Sequence, residues 1–157
     1  MGLAFLVGFG TLLISLLSYG MGTDLLVQLV VRLLRKGYAG SVFWKNVAVM
    51  MIVSVLTAVV HLIQIVLWAL AFLLCGATST FENAVYGSAQ NYTALGYGDV
   101  VLPERWRLLG PLEAINGLLL FGLSTAVMFA VLSRLIATRL HLDTSHSGEP
   151  EKHLQGL

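Results

Sequence analysis

The sequence predicts an all-α membrane protein in which transmembrane helices flank a re-entrant hairpin made of a short helix and a loop. Three observations predict it. The first is composition: the 157 residues are 57% hydrophobic and 11% charged, with a mean hydropathy of +0.86. A soluble domain of this length cannot hide so much apolar surface, so membrane lipid must cover it. The second is three apolar stretches, at residues 2–19, about 47–74 and about 112–137. Each meets or nearly meets the roughly 20 helical residues that cross a hydrocarbon core of ~30 Å. The third is the polar, glycine-bearing stretch NYTALGYGDV at residues 91–100, which interrupts the chain between the second and third spans.

The first span resembles a signal peptide in length. It has no Lys or Arg before it and no small-x-small cleavage site, so a retained helix is expected. After it, Asp24, Gln28, Arg32 and Lys36 recur every four residues and form one polar stripe on a helix. Gly20 and Gly22 offer a break before that stripe. Two readings stay open: an amphipathic helix lying on the inner membrane surface, or a continuation of the first span. The second and third spans exceed the minimum length, which implies tilt or protrusion.

Orientation follows the distribution of Lys and Arg. Arg32, Arg35, Lys36 and Lys45 lie between the first two spans, and Arg134, Arg139 and Lys152 follow the third. Only Arg105 and Arg107 lie between the second and third. The expectation is an N-terminus outside, residues 76–110 facing outward, and a cytoplasmic C-terminus, in a plasma membrane of the bacterial inner-membrane type. Residues 141–157 are polar, carry Gly148 and Pro150, and read as a disordered tail. The layout is therefore 1–40 for the first span and its amphipathic extension, 41–140 for the central unit, and 141–157 for the tail. A net charge of +1 leaves no footprint for nucleic acid. Cys75 is the only cysteine, so no disulfide forms within the chain. No Ser–His–Asp, Cys–His or paired-carboxylate set stands at the water interface, so no enzymatic activity is expected.

Within 76–110, FENAVYGSAQNY predicts a short helix over 80–92, with Ser79 or Thr80 as N-cap and Glu82 in its first turn. It is too short to cross a bilayer. The extended segment 93–99 follows, and irregular backbone at membrane depth is allowed only where it lines a cavity or is buried in protein.

TALGYGD at 93–99 resembles the T-T-V-G-Y-G-D signature of tetrameric potassium channels. Ala84, Tyr86 and Ser88 are similar to that family's pore-helix pattern of alanine, aromatic and serine at alternate positions. Trp106 and the run Gly110, Glu113, Gly117 resemble small bacterial two-span pore proteins. The resemblance covers about residues 47–137. It implies a homotetramer around a central pore, with a selectivity filter at Thr93, Ala94, Leu95, Gly96, Tyr97 and Gly98 and an inner helix over about 108–139. Backbone carbonyls of Ala94, Leu95, Gly96 and Tyr97 would then ligate K+, the permeant ligand, and no cofactor is implied. Such carbonyl rings replace the ion's hydration shell. Alternating, partly left-handed backbone angles aim successive carbonyls the same way, and Gly96 and Gly98 sit at alternate positions as that requires. The side chains of Leu95 and Tyr97 are expected to pack outward against the pore helix.

One residue departs from the signature. The family's second threonine is Ala94 here, so a hydroxyl ring is missing and the innermost ion site is weakened. The resemblance also implies that Asp99 is tied to the pore helix, with Gln90 at the matching position as its neutral hydrogen-bond donor. Otherwise Asp99 adds negative potential at the mouth. Trp106 is expected to support the filter.

Three intramembrane polar residues stand apart. His61 and Gln64 lie one turn apart in the second span, and Glu113 opens the third. Such groups are costly in lipid and are often functional. His61 is either a proton sensor or a neutral ring bonded to a neighbouring helix. Glu113 either supports the filter or is a first-turn acid favoured by the helix dipole. Gly117 and Gly122 are candidate gating hinges or close-packing positions. Three functions follow: a potassium-selective channel, a weakly selective cation channel, or a non-conducting scaffold or regulatory subunit. A regulatory partner binding residues 1–40 is compatible with each.

Overall fold

A computed structural model describes residues 2–35 and 43–147 of the chain. Four α-helices carry the structure: α1 (Gly2–Leu33), α2 (Phe43–Leu74), α3 (Phe81–Tyr92) and α4 (Leu109–Ser147), with a short 3-10 turn at Glu104–Trp106 before α4. Among the described residues there is no strand. Helices α1, α2 and α4 are long and apolar enough to cross a membrane. In hydrocarbon a segment must satisfy its own backbone groups, and a helix does so.

The side-chain pattern is inverted relative to a soluble bundle. The buried face of α1 is Ala4, Gly8, Thr11, Ser15 and Tyr19, continued by Leu26 and Val30. Leu13, Ile14 and Leu17 point out. Small and hydroxyl-bearing residues let membrane helices approach closely, while large apolar ones meet lipid or further protein.

Three apolar clusters run down the bundle. One joins Ala4 of α1, Trp68 and Phe72 of α2, Leu102, Trp106 and Leu109. The next joins Tyr19, Ile65, Tyr92 and Leu120. The last joins Leu26, Val30, Val49, Val53, Val131 and Leu135. Read in order, they make α1 and α4 run parallel and α2 antiparallel to both. Helix α3 wedges between the C-terminal half of α2 and the N-terminal half of α4. At 12 residues it spans about 18 Å, well short of the ~30 Å core.

One open reading is decided and one expectation is corrected. The segment after Gly20 is not a separate surface helix, because α1 runs unbroken to Leu33. Leu26 and Val30 are buried against α2 and α4, so the segment is held in the bundle. At Gly22 an added Cβ would lie 3.2 Å from Val60, so the glycine serves contact between α1 and α2. The polar stripe is partly satisfied within α1, where Gln28 Nε2 donates to Asp24 Oδ2 at 2.7 Å. At the other end, α4 continues helical to Ser147, into the expected tail. The next glycine and proline after Gly122, Gly148 and Pro150, lie beyond it. Residues 148–157 and 36–42, which hold the rest of the expected tail and Lys36 of the stripe, lie outside the described residues.

Gly117 is a packing position. A Cβ there would overlap the Tyr92 carbonyl of α3, whereas a Cβ at Gly122 meets nothing within 4 Å. Gly117→Ala is therefore expected to destabilise the fold by about 1–3 kcal/mol, the usual penalty of overpacking, and Gly122→Ala to change little. Thermal unfolding of the purified variants checks this, and equal melting of the two would contradict it.

Candidate functional site

The loop 93–99 leaves the C-terminal end of α3. Thr80 caps the N-terminal end, its side chain accepting from Asn83 N. At the C-terminal end Ala94 N donates to the Asn91 carbonyl and Leu95 N to the Gln90 carbonyl, both at 2.9 Å. This paired closure places the residue after the cap in the left-handed region, and Ala94 has φ 56°. Helix α2 ends the same way, with glycine in that place: Gly76 (φ 63°) donates to Leu73, and Ala77 donates to Phe72. A Cβ in this region costs about 1–2 kcal/mol, so Ala94 holds a conformation that glycine would hold more easily.

Positive φ then recurs at alternate residues, at Ala94, Gly96 (56°) and Gly98 (79°), with Leu95 and Tyr97 between them in the ordinary region. This alternation is the backbone pattern that the carbonyl-lined loop expected from the sequence requires. All of 93–99 is exposed in the single chain. That exposure corrects the expectation for Leu95 and Tyr97, which are 55% and 70% exposed rather than packed on α3. Tyr86 of α3 is likewise 44% exposed, so the single chain leaves this face of the hairpin open, and any cover for these side chains comes from outside it.

Asp99 is tied back to α3. Gln90 Nε2 donates to Asp99 Oδ1 at 2.7 Å, the pair expected from the sequence. Tyr86 Oη donates to Asp99 Oδ2 at 2.8 Å, a second partner that the sequence reading noted only as an aromatic position. Hydrogen bonds from Gln90 and then Tyr86 hold the Asp99 carboxyl below its ordinary range. Trp106 does not share this role. Pro103 starts the 3-10 turn that carries it, and its ring packs with Ala4, Trp68 and Phe72 in the first cluster, under the Arg105 guanidinium.

Behind the loop, polar side chains join all four helices. His61 Nδ1 meets Tyr92 Oη and His61 Nε2 meets Ser124 Oγ, each at 2.7 Å. Ser124 Oγ also meets Tyr19 Oη at 2.7 Å. The His61 ring stacks on Phe121 at 4.5 Å. Thus His61 is a helix-joining group. In a neighbouring set, Ser15 Oγ donates to Gln64 Oε1 and Asn116 Nδ2 donates to Ser15 Oγ, each at 2.7 Å. In a third set, Ser88 Oγ faces the Ile65 carbonyl at 2.8 Å and Glu113 Oε1. One hydroxyl proton cannot serve two acceptors, so the count closes when Glu113 is a neutral acid donating to Ser88. Glu113 is fully buried, at the back of α3 rather than beside 94–98. The sequence reading missed Tyr19, Tyr92, Ser15, Asn116 and Ser124; hydroxyl and amide groups recurring on the inner faces of apolar helices were the available signal.

Fold and site together define a membrane protein with a re-entrant helix and a carbonyl-bearing loop held between two spanning helices. Residues 58–134 match the ion-channel family. That segment runs from mid-α2 through the hairpin to most of α4, and the match agrees with the resemblance to pore-loop potassium channels. No curated protein and no solved structure matches the chain significantly.

Because Asp99 is held ionised by donors from α3, the tie stabilises the folded state fully above the ordinary carboxylate range. The contribution is lost as pH falls through the lowered value. Gln90→Leu and Tyr86→Phe should each move the Asp99 titration upward toward that range. Carboxyl NMR titration measures it, and an unmoved titration in both variants would contradict the tie.

Proposed function

We propose that the protein is a potassium-selective channel that conducts passively through a filter made by four copies of residues 93–98. The observation that carries this reading is the alternation of positive φ at Ala94, Gly96 and Gly98 on a loop left exposed by its own chain. Carbonyls of Ala94, Leu95, Gly96 and Tyr97 replace the hydration shell of K+. Several ions occupy the file, and repulsion between neighbours keeps them moving. One chain supplies one such loop, so a closed ring needs further copies. Exposed Leu95 and Tyr97 are the side chains those copies would cover. The bias of Lys and Arg along the sequence supports a topology with the loop and Asp99 on the outer side and the end of α4 in the cytoplasm.

A second reading is favoured by one residue. Ala94 contributes a carbonyl but no hydroxyl, so the innermost site has fewer oxygens and discriminates less between cations. Flux from proteoliposomes containing only the purified protein tests both readings. Potassium flux far above sodium flux supports the selective channel, comparable fluxes support the weakly selective one, and an intact oligomer without flux supports a scaffold.

Restoring the hydroxyl separates the readings further. Threonine is β-branched and is strained at φ 56°, so Ala94→Ser is the milder companion of Ala94→Thr. Each is expected to tighten barium block roughly fivefold, the worth of about 1 kcal/mol of added oxygen ligation, and to change single-channel current. Block and current unchanged in both variants would contradict a weakened inner site.

A further inference from the structure

Tyr92 is the last residue of α3 and immediately precedes the loop. It is held from two sides. Its carbonyl abuts Gly117 of α4, where no Cβ fits. Its hydroxyl meets His61 Nδ1 at 2.7 Å, in an interior where Tyr92 is fully buried. On the far side of the ring, His61 Nε2 reaches Ser124 of α4, which reaches Tyr19 of α1. A chain of three hydrogen bonds therefore runs from α1 to the base of the loop.

Counting protons gives this chain a direction. Ser124 Oγ donates to the Leu120 carbonyl at 2.9 Å, so it accepts from both Tyr19 and His61. His61 then carries its proton on Nε2, and the bare Nδ1 accepts from Tyr92 Oη. Every proton is used. With the proton on Nδ1 instead, Tyr92 would have to accept, and its own buried hydroxyl proton would have no partner. Leaving such a group unpaired costs about 1–3 kcal/mol, enough to fix the tautomer. The Phe121 ring holds the imidazole plane from the side, at 4.5 Å from His61 and 5.5 Å from Tyr92.

We propose that His61 is a positioning residue for the pore loop, and that α1 takes part in setting the loop through Tyr19. The imidazole fixes Tyr92, and Tyr92 fixes where the paired closure at Ala94 and Leu95 begins. Tyr19 occupies a lone pair of Ser124 and so secures the tautomer. The inference rests on the channel reading and goes beyond it. It gives α1, which lies outside the segment matching the ion-channel family, a role in selectivity, and it assigns His61 a structural duty in place of proton sensing.

The test uses the full chain in proteoliposomes and reads the K+/Na+ permeability ratio from bi-ionic reversal potentials. His61→Phe and Tyr92→Phe are expected to lower the ratio about tenfold, and Tyr19→Phe about threefold, while Ser54→Ala, whose exposed hydroxyl bonds back to the Met50 carbonyl within α2, leaves it unchanged. Nitrogen NMR of wild-type His61 is expected to show a neutral ring protonated on Nε2, with the bare-nitrogen signal shifting in Tyr92→Phe. Variants that assemble like the wild type and keep its ratio overturn the proposal while the channel reading stands. A wild-type protein without flux overturns both. Should the three variants fail to assemble, the wild-type spectrum decides: the Nδ1–H tautomer or a charged ring overturns the proposal, and the neutral Nε2–H ring upholds it.

Discussion

Backbone polarity inside a membrane is the constraint on which the structure depends. A helix satisfies its own N–H and C=O groups, but a loop at membrane depth leaves them open, each at a cost of several kcal/mol. The chain meets this at the C-terminal end of α3. The paired closure onto Gln90 and Asn91 uses the first N–H groups of the loop. The alternation of φ that follows is the pattern that the proposed row of carbonyls requires. A row of carbonyls is a poor surface for lipid and a good one for a dehydrated cation, and the proposed conduction follows from that difference.

The remainder of the fold holds this loop in place. Apolar side chains face outward on α1, α2 and α4, so hydrophobic burial does not set the helix positions as it would in water. Hydrogen bonds between helices, worth about 0.6–2 kcal/mol each in membranes, set them instead. They occur in sets: Tyr19, Ser124, His61 and Tyr92; Ser15, Gln64 and Asn116; Ser88 and Glu113. Each set joins at least two helices, and the first two draw in α1. A glycine at 117 brings α4 against the same Tyr92 whose hydroxyl His61 holds.

The helices, the hairpin and the tie between Gln90 and Asp99 were readable in the sequence because each follows from local pattern. Apolar length marks a span, Thr80 before Glu82 marks a helix start, and two glycines at alternate positions mark a loop of alternating hand. What escaped was set by tertiary contact. Gly20 and Gly22 look like a break in isolation, but burial of Leu26 and Val30 keeps α1 straight. Trp106 follows the glycine–aspartate turn closely in sequence, yet the turn at Pro103 sends its ring toward α1 and α2. Tyr19 and Ser124 are 105 residues apart, and no periodicity links them. The left-handed Ala94 was also hidden, because an alanine carries no mark of the conformation that glycine usually announces.

In the proposed channel, four copies of the loop face one axis and bind ions along it. An experimental structure of the purified assembly in lipid nanodiscs, determined in potassium, measures this directly. Four chains are expected, with the 94–97 carbonyls ringing a file of ion density and Leu95 and Tyr97 covered by protein. An assembly with another number of chains, or a loop turned away from its symmetry axis, would contradict it.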